Sequence, residues 1–456
     1  MREQAALGAV DKARKITFSL LVLEGAFGGF YITASRSITP IFLITYGFTL
    51  SDLLTLNTFA GFASLSMVYV LYRYFKPKGV KVELAAALLI ERTFWFLIPW
   101  FVNERPLITL IYAIAVAFPL FPSTLINLIS LAYFGEEEYR KLVSYRIIAS
   151  SVASISAQIL LVLTLFVGKG FWKFAMLYTI AFLVGLVSVA IALLIPVVEI
   201  SLNALIATKI EEEAEIKAST MYLLQVLLLA STNLLGIAWI PRLMIDFNTP
   251  DYFAALIGLV QMLSNVFASM IWLRRKIVSH RYAIILLSLI PLMVYFVKEP
   301  YLHLGIAVLY SFSLVGTNLY VSAGFAHIVK RLGVIRASAL LSSANALAMI
   351  LGTTIGNAVS SYRALVFTAA SIFGLIGLAI AFTAIPEFAI ISPTHTKLYA
   401  RILHALSITS YNYVMFSIIE TAKTALKLIG LTITMIILFV IYRMLYYMTM
   451  LVGGGK

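Results

Sequence analysis

Apolar residues run through this chain in blocks of about 20, each closed by charged residues, glycine, proline or asparagine. Twelve blocks predict helices α1 to α12: 17–45, 51–72, 82–102, 106–134, 144–167, 171–197, 218–245, 250–273, 281–297, 300–328, 336–359 and 363–385. A helix of about 20 residues matches the roughly 30 Å hydrocarbon core of a bilayer. Backbone polar groups in lipid have no water to bond, so a helix, which satisfies them internally, is the spanning form that fits these blocks. A polar connector, Thr208 to Ser219, carries Glu211, Glu212, Glu213 and Glu215 and divides the blocks six and six. The expected fold class is an all-α polytopic membrane protein of two six-helix bundles related by a pseudo-twofold, plus one or two C-terminal helices.

Composition supports the same picture. Of 456 residues, 62% are hydrophobic and 12% charged, with mean hydropathy +0.99. A soluble protein needs more polar cover than that. The net charge of +14 reflects topology rather than nucleic acid. Loops on the N-terminal side carry twenty basic residues, among them Arg14, Lys15, Arg73, Lys81, Arg140, Arg146, Arg274 and Lys330. The opposite loops carry five, namely Arg105, Lys169, Lys173, Lys298 and Arg363. That asymmetry predicts a multi-pass protein of the cell membrane with a cytoplasmic N-terminus. No small-residue cleavage site follows the first apolar run, which reads as a retained helix.

The expected organisation is a cytoplasmic segment 1–16, a bundle 17–197, a cytoplasmic connector 198–217, a bundle 218–386 and an extension 387–456. In the extension, 395–424 mixes Lys397, Arg401, His404 and Glu420 with Tyr399, Leu406 and Phe416. Two readings stand: an amphipathic helix in the interface, or a weak span over 398–420. Leu426 to Met448 is apolar enough to cross, and Gly453 to Lys456 reads as a tail.

The two halves repeat. Leu97-Ile98-Pro99 with Phe101-Val102-Asn103-Glu104-Arg105-Pro106 returns as Leu289-Ile290-Pro291 with Phe296-Val297-Lys298-Glu299-Pro300. Asn127-Leu128 returns as Asn318-Leu319, and Arg140-Lys141-Leu142 with Arg146 returns as Lys330-Arg331-Leu332 with Arg336. Internal repeats across a bilayer are the construction of secondary transporters.

Three pieces of sequence carry a family resemblance. They are Pro40 to Asp52 with its Tyr46-Gly47-Phe48-Thr49 turn, echoed by Pro241 to Tyr252; the basic α2–α3 loop Tyr72 to Gly79, echoed by Leu273 to Lys276; and Glu136 to Arg146 between α4 and α5. In order and spacing, residues 15–386 resemble the major facilitator superfamily of transporters. The α2–α3 loop departs from the family's common pattern, having no Asp between Tyr69 and Lys81, which argues against its proton-driven drug exporters. The resemblance implies that α1, α4, α7 and α10 line a central pathway.

On those helices an ionisable side chain at membrane depth costs roughly 2.5–3.5 kcal/mol unless it meets water or a partner. Glu24 in α1, with Gln225 as its counterpart in α7, is either a coupling carboxylate or one member of a cytoplasmic gate pair. Arg36 and Arg242 near the outer ends of α1 and α7 would together favour an anion. The competing reading pairs Arg242 with Asp246, and has Arg36 either snorkel outward or pair with Asp52 or Asp251. Asn127 and Asn318 are either substrate contacts or interhelical glue. Glu91 and Arg92 in α3 read as a structural charge cluster, and Gln158, Gln261 and Asn265 as secondary lining residues. Arg140, Arg146, Lys330, Arg331 and Arg336 are candidates for a cytoplasmic gate. Gly352 and Gly356 have the close-packing spacing of membrane helices.

No phosphate-cradling Gly-Lys-Ser/Thr loop, His-Glu-x-x-His spacing, nucleophile pattern or cysteine occurs, so neither an enzyme, a cofactor nor a bound metal is expected. The expected function is movement of a small solute by alternating access, with a proton or sodium as the candidate coupled ion. The alternatives are a lipid-linked or polysaccharide flippase of another 12–14-helix fold, and a transporter-like membrane scaffold or sensor.

Overall fold

The computed structural model describes residues 2–74, 79–134, 136–196, 212–276, 279–332, 334–385 and 395–403. The chain divides into two compact units, Met1–Arg401 and Ile402–Lys456, and α1 to α12 belong to the first. Both readings of 398–420 and the span Leu426 to Met448 reach beyond the described residues.

The helices lie close to where the apolar pattern puts them. They are α1 (Arg2–Arg36, continued by Ile38–Thr45), α2 (Leu50–Tyr74), α3 (Val80–Leu97 with a 3-10 turn Ile98–Phe101), α4 (Arg105–Ala117 and Leu120–Tyr133), α5 (Glu136–Val167), α6 (Gly170–Leu194), α7 (Glu212–Pro241 with a π turn Arg242–Asp246), α8 (Asp251–Trp272), α9 (His280–Phe296), α10 (Leu302–Leu332), α11 (Val334–Ala358) and α12 (Arg363–Ala384). Ten of these stretches are long and apolar enough to cross a membrane. The chain is a multi-pass membrane protein.

Several boundaries differ from expectation; α5 begins at Glu136 and α7 at Glu212, before their apolar blocks at 144 and 218. α1 begins at Arg2, because Arg, Glu, Gln, Ala and Lys are strong helix formers and carry the helix out of the apolar block. α4 breaks at Phe118 and Pro119. Proline has no N–H to give to the preceding turn, so the apolar run 106–134 continues as two segments.

Packing follows a regular scheme. In the first six helices α1 packs on α5 and α6, α3 on α6, and α4 on α2 and α3. In the last six α7 packs on α11 and α12, α9 on α12, and α10 on α8 and α9. Adding six to each label of the first set gives the second. The main contacts between the sets are α2 with α11 and α5 with α8.

Small residues set the closest crossings. A Cβ on Gly29 of α1 would sit 2.6 Å from the Ser150 carbonyl oxygen of α5. The Ser154 hydroxyl donates to the Gly29 carbonyl at 3.0 Å. On α11, a Cβ at Gly352 would meet the Ala230 carbonyl of α7 at 2.9 Å, and one at Gly356 would meet Leu234 and Leu54. The Gly352/Gly356 pair therefore serves neighbours within this chain. Lipid offers helices no hydrophobic drive to associate, so backbone proximity of this kind is what holds them together.

Candidate transport pathway

Three polar groupings stand inside the bundle. The first lies nearest the N-terminal end. Glu24 is 3% exposed and accepts from an Arg146 terminal nitrogen at 2.6 Å. Arg146 Nε also donates to the Leu21 carbonyl at 3.0 Å. Both partners sit in the first six helices, on α1 and α5. The pair therefore ties one half together and does not bridge the two halves. Of the other gate candidates, the side chains of Arg140, Lys330, Arg331 and Arg336 lie outside the described residues.

The second grouping lies in the far part of the first half. Arg92 of α3 is 2% exposed and Glu91 is 3% exposed. Arg92 Nε donates to the Gly185 carbonyl and to Ser188 at 3.2 Å each. One terminal nitrogen reaches the Leu88 carbonyl and Glu91, both at 3.2 Å, and the other reaches Ser188 at 2.8 Å. Its guanidinium also lies 4.6 Å from the Tyr31 ring centroid. Arg36 of α1 approaches Glu91 at 3.4 Å and stacks 5.5 Å from the Trp95 ring centroid. Neither carboxylate expected for Arg36 holds it: Asp52 pairs with Arg105, and Asp251 with Lys173. The α1–α3 approach puts Glu91 within reach first, and both aspartates sit in the first turns of their helices, next to loop cations.

The third grouping closes the far end of α7. Arg242 donates to Asp246 at 2.8 Å and to the Tyr295 carbonyl at 2.8 Å, with Phe247 and Tyr295 rings beside it. Arg363 also pairs with Asp246. Trp239 Nε1 donates to His303 Nδ1 at 3.0 Å. That bond places the His303 proton on Nε2, which faces the Val297 carbonyl at 3.2 Å. Arg242 is thus engaged locally and stands apart from Arg36.

The amide candidates divide. Asn127 of α4 is half-buried and Asn318 of α10 is exposed. Gln225 of α7 is half-buried, and its Oε1 has no partner. The structure adds Asn233, whose Nδ2 is likewise unpartnered. Gln225, Leu229, Asn233, Gly236 and Ile240 fall on one face of α7 at helical spacing, and none of them is buried. A Cβ on Gly236 would meet nothing within 4 Å. Sequence reasoning missed Asn233, although it lies about two turns from Gln225. Among the secondary candidates, Gln158 of α5 donates to the Ala255 carbonyl of α8 at 2.8 Å, so it serves the crossing between halves.

The polar contacts described between the halves gather at the far end. Ser51 donates to Asn357 at 2.7 Å, Thr58 and Thr353 share a hydrogen at 2.7 Å, and Lys173 pairs with Asp251. An apolar cluster covers the same end, joining Ile38, Ile41, Phe42 and Leu43 of α1 with Ala254 and Ala255 of α8 and Met349 of α11.

This helix arrangement is found in solved transporters. A point mutant of the nucleoside transporter NupG superposes with TM-score 0.61 at 18% identity, covering 81% of this chain and 98% of that one. The unmutated NupG gives TM-score 0.55 at 16% identity, covering 88% and 99%. A D-xylose–proton symporter gives 0.61 at 13% identity, covering 84% and 98%. The chain has the fold of the major facilitator transporters. No family model matches the sequence, and no curated protein matches it. The likeness therefore lives in helix order and packing.

Proposed function

We propose that this chain is a secondary transporter that carries a small solute across the cell membrane by alternating access between two halves, 17–197 and 218–386, related by a pseudo-twofold. The observation that carries the reading is the packing scheme that recurs on adding six, with α2/α11 and α5/α8 as the main joints. Two rigid bodies with limited joints can rock about them. The fold likeness to transporters of a nucleoside and of xylose supports a small solute, and the second favours a proton over sodium as the coupled ion. The flippase alternative called for another helix arrangement, and the fold likeness speaks against it.

The basic-residue asymmetry puts the N-terminus in the cytoplasm. With the far end sealed by Ser51–Asn357, Thr58–Thr353, Lys173–Asp251 and the apolar cluster, the conformation is then inward-facing. Glu24 is the coupling carboxylate in this reading. It is buried, it is held by one cation, and it sits on a helix that lines the seam. A proton on Glu24 ends its ion pair with Arg146, so protonation changes the charge that the first half presents as the two halves rock.

Uptake into proteoliposomes under an inward proton gradient, with a panel of nucleosides, sugars and organic acids, tests the function. Glu24→Gln is expected to abolish gradient-driven uptake while leaving solute exchange intact. Loss of both, or of neither, removes Glu24 from the coupling role. A chain that accelerates none of the panel under any gradient removes the transporter reading.

A further inference from the structure

Resting on that reading, we infer that Arg36, with Trp95 beside it, forms the contact point for an oxyanion group of the solute, a carboxylate or a phosphate. The argument compares three charged side chains in one cluster. Arg92, Glu91 and Arg36 sum to one surplus positive charge. Arg92 is closed: each of its three nitrogens has a partner, and the residue is 2% exposed. Glu91 is closed as well, held between Arg92 at 3.2 Å and Arg36 at 3.4 Å. Arg36 is open. Its side chain is 37% exposed, its single described ion pair is the long one to Glu91, and its Nε is shielded from solvent without a partner. The surplus charge therefore sits on Arg36.

A second unused donor stands next to it. Trp95 is 2% exposed, yet its indole Nε1 has no partner. A buried N–H left unpaired is unfavourable, and an acceptor supplied by a bound group would relieve it. Tyr112 packs edge-on against Trp95 with ring centroids 6.0 Å apart, and its hydroxyl donates to Asn57 at 3.0 Å. The hydroxyl and amide are thereby bound to each other, which leaves Arg36 as the exposed donor and the buried Trp95 N–H as the unpartnered one behind it. The Arg36 guanidinium, stacked 5.5 Å from the Trp95 ring centroid, can give two hydrogen bonds to an oxygen pair of one anion.

Placement on α1 agrees. Pro40 and Pro241 are repeat counterparts, as are Glu24 and Gln225, both at a separation of 201 residues. At that separation Ile32 and Arg36 answer to Asn233 and Ile237, on or beside the open face of α7. Ile32 is 40% exposed one turn before Arg36. The two half-chains thus present matched faces, cationic on α1 and amide-bearing on α7.

The test uses the purified full chain and solute pairs that differ in one oxyanion: glucose with glucuronate, uridine with uridine monophosphate, and inorganic phosphate alone. The anionic members are expected to raise the melting temperature and the neutral ones not, because a ligand that binds only the folded state stabilises it. Arg36→Lys should weaken the anion about tenfold, the loss of one charge-assisted hydrogen bond. Trp95→Phe should weaken it severalfold; because the smaller ring leaves a cavity in a buried site and lowers the melting temperature of the ligand-free protein, the loss is read from the shift each anion adds to the variant's own ligand-free value. A panel in which no anion shifts the melting temperature, or in which neutral and anionic partners act alike, overturns the assignment. So does anion binding that both variants leave intact. Uptake of a neutral solute indifferent to Arg36 would sink the oxyanion site and keep the transporter; an anion that binds through Arg36 but never crosses would do the reverse.

Discussion

At the residue scale, the buried ions decide what the bundle tolerates. Arg92 holds the Glu91 carboxylate inside the first half, so Arg92→Ala leaves a buried charge without its closest cation. A destabilisation of about 3–5 kcal/mol is expected, read as a lowered melting temperature or as increased aggregation in detergent. The double change Glu91→Gln with Arg92→Met removes both charges and should cost less than the single one. The charge pairs show how far sequence reasoning reaches at this scale. Glu24, Glu91 and Arg92 stand out because ions are rare in apolar blocks. Which distant residue each one meets does not. Arg146 lies 122 residues from Glu24, and Ser188 lies 96 from Arg92, distances over which periodicity says nothing. Asn233 was passed over because a single amide in an apolar block carries no partner in its neighbourhood to draw the eye.

At the element scale, close crossings are set by glycine and broken by proline. Gly29→Ala brings a methyl against the Ser150 backbone, which cannot yield as a side-chain end can. The α1–α5 crossing must open, with a loss of about 1–3 kcal/mol expected in thermal or denaturant unfolding. Gly236→Ala, with nothing within 4 Å of the new methyl, should leave stability unchanged or raise it by a few tenths of a kcal/mol through helix propensity. Equal effects at the two positions would mean that α1 and α5 are not in the contact described. Helix number and placement were legible because 20-residue apolar blocks leave a chain in lipid few alternatives. The α4 break at Pro119 was concealed by the same hydrophobicity that revealed the helix, since an apolar window is blind to a missing N–H.

At the scale of the whole molecule, the seal at the far end is what would have to part in the proposed transport cycle. The chain has no cysteine, so a pair introduced there is the sole pair that can bond. Thr58→Cys with Thr353→Cys replaces two hydroxyls 2.7 Å apart. Oxidation is expected to stop uptake in proteoliposomes, and reduction to restore it; each single variant should transport regardless of oxidant. Transport that persists in the fully crosslinked protein would mean that α2 and α11 never separate at this level. The acidic connector and the returning loop motifs suggest a six-and-six division, and the helix contacts recur on adding six to each label. Which helices meet across the division was not legible in the sequence, because α2/α11 and α5/α8 are joined by shape and a few hydroxyls rather than by complementary charge.

The Glu91–Arg92 pair also bears on how the chain is made. An Arg and a Glu in mid-helix would each cost an isolated α3 roughly 2.5–3.5 kcal/mol in the bilayer. Leu88 and Glu91 in α3 itself meet one terminal nitrogen of Arg92, but the acceptors of its other two nitrogens, the Gly185 carbonyl and the Ser188 hydroxyl, come 93 and 96 residues later in α6. At 5–20 residues per second, a ribosome needs about 5–20 s to deliver them. During that interval α3 is a poor lodger in lipid. The nascent chain must keep it at the insertion channel, beside a chaperone or at the water boundary until α6 emerges.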